Sequence, residues 1–258
     1  MGNIAEALIL AIVQGITEWL PISSSGHLVI FENLLNYESS LTFDVALHFG
    51  TLMAVFVYFG RDIIDILRDL LSFRFHSENG KTGLLLIVAS IPASIIGFLF
   101  YDFFESVFNN LFVTALGFGI TGLFLFIASL DFRKKEGKLS YKESFLIGIA
   151  QAASILPGIS RSGATISSGV LLGQDVKAAA RFSFLMSIPV IFGANIFVIG
   201  NQKLPPEPIW ATLVAFIVGL MTIHILFKFV LTSKKNLRWF AIYALALAFG
   251  LGIYLAVN

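Results

Sequence analysis

Gln14-Gly15-Ile16-Thr17-Glu18-Trp19-Leu20-Pro21-Ile22-Ser23-Ser24-Ser25-Gly26-His27 starts inside an apolar run, then sets a carboxylate, three serine hydroxyls and an imidazole around a proline. An Asp, Lys or Arg at mid-bilayer costs about 2.5–3.5 kcal/mol, so packing alone does not account for such a cluster. Gln14 and Glu18 are four residues apart and share a helix face just before Pro21 breaks the helix. Ser23, Ser24, Ser25 and Gly26 follow as a donor-rich turn, and His27 opens the returning arm. A turn of this kind suits an anion, because backbone N–H groups and the helix dipole favour phosphate. Small residues also let membrane helices approach closely. That plainer reading covers the serines but not Glu18 or His27.

The surrounding composition fixes the solvent. Hydrophobic residues make up 57% of the 258, charged residues 13%, and the mean hydropathy is +0.88. Soluble domains carry about 25% charged residues, so the chain reads as an integral membrane protein. Its apolar runs are continuous, which favours helices over the alternating segments of a barrel. A net charge of +1 argues against a nucleic-acid partner, and the lack of cysteine excludes disulfides and thiolate metal sites. No Lys or Arg precedes Arg61, so the start lacks the basic region of a cleavable signal and is expected to be mature.

Six stretches, 41–60, 84–100, 111–130, 182–200, 209–228 and 239–257, are long enough to cross about 30 Å of hydrocarbon. The regions 4–35 and 144–173 are interrupted by polar clusters. Their remaining arms, 27–35 and 163–173, would measure only about 14 and 16 Å as helix. Each region is therefore expected to be a re-entrant hairpin with its irregular tip shielded by protein or a wet cavity. The expected fold is an all-α polytopic membrane protein: six transmembrane helices plus two re-entrant helical hairpins in one domain, 1–258.

Fifteen of the 17 basic residues fall in four loops: Arg61 to Lys81, Arg133 to Lys142, Lys177 with Arg181, and Lys228 to Arg238. The intervening loops hold Glu32 and Glu38, Asp102 and Glu105, then Lys203 with Glu207. Under the positive-inside rule the basic loops are cytoplasmic, which puts both termini outside if each hairpin crosses an even number of times. A shift of 137 residues lays Gln14 on Gln151 and Ser23-Ser24-Ser25-Gly26 on Ser160-Arg161-Ser162-Gly163. The halves, roughly 1–135 and 140–258, thus read as an inverted repeat whose hairpin tips meet near the midplane, as in many transporters. Residues 61–73 carry Ile63, Ile64, Ile66, Leu67, Leu70, Leu71 and Phe73 at helical spacing, expected as an interfacial amphipathic helix or, alternatively, a partner-docking one. Pro205-Pro206-Glu207-Pro208 reads as a connector.

The second polar cluster, Pro157-Gly158-Ile159-Ser160-Arg161-Ser162-Gly163-Ala164-Thr165, holds the one Arg or Lys well inside an apolar region. A guanidinium fork fits phosphate oxygens; the competing role for Arg161 is a structural ion pair with Glu18. Ser160, Ser162, Gly163 and Thr165 are candidate substrate contacts from this turn, as Gln14, Ser23, Ser25 and Gly26 are from the first. Asp44 and His48 form a further i, i+4 pair; Asp44 can help hold a hard divalent ion, or the pair is merely interfacial. His224 reads as a packed or interfacial histidine, and His76 as one in a solvated loop.

Residues 14–27 resemble the first signature of the bacterial undecaprenyl pyrophosphate phosphatase (bacitracin-resistance) family, and residues 157–165 resemble the second. The similarity covers essentially the whole chain. It implies an inner-membrane enzyme that releases phosphate from the C55 isoprenyl diphosphate carrier and recycles it for cell-wall synthesis. It also implies a divalent cation (Mg2+ or Ca2+) and a site opening to the outer face. By this resemblance Glu18 matches the family's essential carboxylate, His27 its histidine, Ser24 the proposed nucleophile and Arg161 the phosphate-gripping arginine. Some members have a second glutamate where this chain has Gln14, which leaves metal binding to Glu18, Asp44 and the diphosphate itself.

The expected partners are a polyprenyl diphosphate lipid and the membrane, with a homodimer as a candidate assembly. Ser25-Gly26-His27 and Ser160-Arg161 superficially match type-2 phosphatidic acid phosphatases. Those need another histidine soon after Ser-Arg, and none lies between His76 and His224. The competing class is a flippase or anion carrier built on the same two hairpins. A purely structural scaffold leaves Glu18, His27 and Arg161 unexplained.

Overall fold

The computed structural model describes residues 4–37, 39–130, 139–201 and 209–257. Several residues named above, Glu38, Arg133, Lys134, Lys135, Lys138, Lys203 and Pro205 to Pro208, lie outside them. Among the described residues the chain is helical throughout, with no strand. In chain order the helices are α1 (Ile4–Thr17), α2 (Ser24–Leu35), α3 (Leu41–Tyr58), α4 (Gly60–Leu71), α5 (Glu78–Leu99) and α6 (Tyr101–Val107). They continue as α7 (Leu111–Ser129), α8 (Tyr141–Ala153), α9 (Arg161–Leu171), α10 (Val176–Asn201), α11 (Ile209–Ile225) and α12 (Leu237–Val257). A π-helical turn, Leu226–Val230, prolongs α11.

Among the described residues five helices are long and apolar enough to cross a bilayer, and a sixth span is counted if α3 and α4, bent by 80°, are taken as one. The chain is thus a multi-pass membrane protein. The bend follows from a change of pattern at Phe59. The apolar α3 gives way to the amphipathic α4, whose Ile66 and Leu70 fill the space over Gly83 of α5 while Arg61, Leu67 and Arg68 face outward. Helix α5 starts at Glu78, earlier than the apolar run suggests, because Ser77 caps it by accepting from Gly80 N.

Helices α1, α2, α8 and α9 have 14, 12, 13 and 11 residues, or about 21, 18, 20 and 17 Å. Each is too short to span. Helix α1 packs on α2 and on α11, while α8 packs on α9 and on α5; α7 lies along α12 and α3 along α11. The two hairpin turns are capped alike. Ser23 and Ser160 accept from the amides of Gly26 (3.2 Å) and Gly163 (3.0 Å), and the hydroxyl of each lies 3.3 Å from that of the serine two residues on, Ser25 or Ser162. The turns also touch: Ser162 Oγ donates to Leu20 O at 2.9 Å. Gly158, at φ 84, is seated where any side chain would strike Thr114 O, and a Cβ on Gly26 would fall 2.9 Å from Gly158 Cα. Behind this junction, Trp19, Phe59, Phe184 and Phe227 pack ring against ring.

Candidate active site

Pro21 and the following turn end α1 and start α2 in the protein interior, leaving Glu18 in the gap, only 7% exposed. A buried carboxylate needs donors and positive charge, and both hairpins supply them. Arg161 Nη2 donates to Glu18 Oε1 at 2.5 Å. Ser24 Oγ donates to Oε2 at 2.5 Å, and Gln14 Nε2 to the same oxygen at 3.1 Å. Ser24 and Arg161 are each the first residue of their helix, so the N-termini of α2 and α9 both border the carboxylate. Their dipoles add to its stabilisation and create a place for anions.

Arg161 is itself held in place. Its guanidinium lies 5.2 Å from the centre of the Trp19 ring, and Nη1 reaches Ser183 O at 3.5 Å. Ser183 Oγ meets Thr165 Oγ1 at 2.6 Å, so Thr165 supports the arginine's surroundings. Ser160 N donates to Thr121 Oγ1, and that hydroxyl donates to Gly158 O, both at 2.9 Å. Thr121 thereby ties the second turn to α7. Ser23, a serine at φ 69, holds a conformation ordinarily left to glycine, and such strain gathers at functional turns.

The histidines divide differently from what the sequence suggests. His27 is 4% exposed; Nδ1 lies 2.6 Å from Ser23 O and Nε2 2.8 Å from Tyr243 Oη. His48 instead faces the carboxylate, with Nε2 3.6 Å from Glu18 Oε2 and Nδ1 2.8 Å from the backbone oxygen of Asp44. Asp44 takes a hydrogen bond from Ser39 at 3.1 Å and lies beside Glu32; Asp44 Oδ1 and Glu32 Oε1 are buried without a donor. Tyr243, Ser183 and His48 thus join the neighbourhood. The only sequence signal among them was the His48 spacing. His224 packs against Tyr58 and His76 is exposed, both apart from the site.

The fold and site define a polytopic helical membrane protein with an acid, a serine and an arginine enclosed between two helical hairpins. The profile of the family described as Bacitracin resistance protein BacA matches residues 7–250. The chain is 39% identical over 240 residues to the undecaprenyl-diphosphatase of Methanococcus vannielii, covering 92% of this chain and 95% of that one. It is 42% identical over 253 residues to that of Christiangramia forsetii, covering 93% and 94%. With that of Rubrobacter xylanophilus the identity is 40% over 265 residues, covering 96% and 97%. The chain belongs to the BacA family.

Proposed function

We propose that the chain is a membrane phosphatase that hydrolyses undecaprenyl diphosphate to the monophosphate and phosphate, the activity named in its relatives. The observation that carries this reading is the contact of Ser24 Oγ and Arg161 Nη2 with the two oxygens of one buried carboxylate, Glu18. A hydroxyl bonded to a carboxylate has its base in place, and a guanidinium 2.5 Å away has only to exchange one anion for another.

In the proposed reaction Arg161 and the N-termini of α2 and α9 take the terminal phosphate. Ser24 Oγ gives its proton to Glu18 and attacks phosphorus in line, and the bond to the bridging oxygen breaks, with the polyprenyl monophosphate leaving. Water then attacks the phosphoserine and gives a proton to His27 Nε2, while the bond from phosphorus to Ser24 Oγ breaks and that oxygen takes its proton back from Glu18; phosphate departs. Gln14, Ser23, Ser25, Gly26, Ser160, Ser162, Gly163 and Thr165 shape and hold the two turns around the headgroup. A divalent cation suits the residues present. Asp44 offers a buried oxygen with no donor, and no three acidic or histidine side chains cluster among the described residues, so substrate oxygens would complete the shell. Asp44 and Glu18 would hold the ion, which when bound supplies charge neutralisation at the diphosphate.

The finer topology is part of this proposal: six spans, two re-entrant hairpins from opposite leaflets, and both termini with the site opening on the outer face. The short arms of both hairpins and their meeting tips support it, as does the exchange of contacts, α1 with α11 and α8 with α5. So does the bond of Arg181 to Asp62 at 2.9 Å, which joins two of the basic loops on one side. The test is purified protein in detergent with polyprenyl diphosphate. Chelator-sensitive phosphate release is expected; movement of labelled lipid across vesicles with no chemical change would instead make it a transporter.

A further inference from the structure

We propose that Tyr243, carried by the last helix, is a positioning residue for His27. The inference rests on the assignment of His27 to the reaction and adds the group that aims it. Ser23 O can only accept, so the hydrogen in the 2.6 Å contact belongs to His27 Nδ1. A neutral imidazole so tied has its lone pair at Nε2, and Tyr243 Oη, 2.8 Å away, donates its hydroxyl hydrogen there. The two rings lie nearly parallel, 5° apart with centroids at 5.7 Å, and Phe118 meets His27 edge-on at 5.3 Å. The imidazole is therefore fixed in plane and in tautomer, with its acceptor nitrogen directed at one hydroxyl. Tyr243 is itself only partly buried, so its hydroxyl has room to swing off that nitrogen while its ring stays on the stack. Among the described residues nothing else bonds Nε2. Without the hydroxyl, a buried acceptor is left empty and the ring loses one of its two ties.

Tyr243→Phe keeps the stack and removes the bond. One hydrogen bond is worth up to about tenfold. Phosphate release by Tyr243→Phe is expected to lose about that factor in kcat with KM within about twofold, in a protein that stays folded at the assay temperature although its unfolding temperature falls slightly. In a His27→Gln background the same change should cost nothing further. In 15N-histidine spectra of the detergent-solubilised protein, the His27 Nε2 resonance should move on Tyr243→Phe while those of the other three histidines stay. Wild-type turnover by Tyr243→Phe beside an impaired His27→Gln, equal losses in both backgrounds, or an unmoved His27 resonance would overturn the role given to Tyr243. Wild-type turnover by His27→Gln would instead remove the assignment of His27 on which it rests.

Discussion

Ser24 and Arg161 stand at the same place in their two hairpins, the first residue of the second helix, and both close on the carboxylate of Glu18. One brings a hydroxyl and the other a positive charge. Two turns with the same cap therefore deliver complementary chemistry to one acid.

Glu18→Gln tests the acid. The amide still accepts from Ser24 yet takes no proton, so turnover should fall at least about 100-fold, the lower range for a lost general base. Phosphate release from the purified variant, with its unfolding temperature as control, checks this.

Ser24→Ala separates serine from water as the attacking group. Turnover should vanish while the fold holds, and no phosphorylated protein should be trapped on rapid acid quench. Near-normal release from this variant would make water the nucleophile.

Arg161→Ala should damage both stability and turnover. It strands a buried carboxylate, which costs about 3–5 kcal/mol when a buried pair loses one member, so the unfolding temperature should drop. Adding Glu18→Gln to Arg161→Ala should recover much of that stability and none of the activity.

A chelator should abolish phosphate release, and Mg2+ or Ca2+ should restore it. Asp44→Asn, which removes a charge but keeps the shape, should raise the cation concentration needed by at least about tenfold, the lower bound set by loss of groups that merely support a ligand. Titration of activity against free cation measures the shift.

The chain has no cysteine, so single cysteines report topology directly. Glu105→Cys, at the end of α6, should react with an impermeant maleimide on intact cells. Lys234→Cys, before α12, should react only after the membrane is opened.

Much of the site could be read from residue order because hydrocarbon makes polar groups conspicuous. Glu18, Ser24 and Arg161 stand out in apolar surroundings, and all three meet. The short arms beside Pro21 and Pro157 gave away the helix breaks in the same manner. Tyr243 could not be found so, since a lone tyrosine in an apolar helix looks like any interfacial aromatic and its partner lies 216 positions away. The ring contacts of His27 and His48 were hidden for a related reason: spacing tells which helix face a ring occupies, but not which backbone carbonyl captures its Nδ1. Ser183 acts partly through its main-chain oxygen, which no sequence displays.

The matched turns carry a consequence for assembly. A symmetric pair of identical subunits would face serine with serine, or arginine with arginine, across its axis. Here one polypeptide supplies both turns, capped alike, and sets unlike groups at their equivalent places, a hydroxyl at Ser24 and a guanidinium at Arg161. The reaction centre is thus asymmetric without calling on a second subunit.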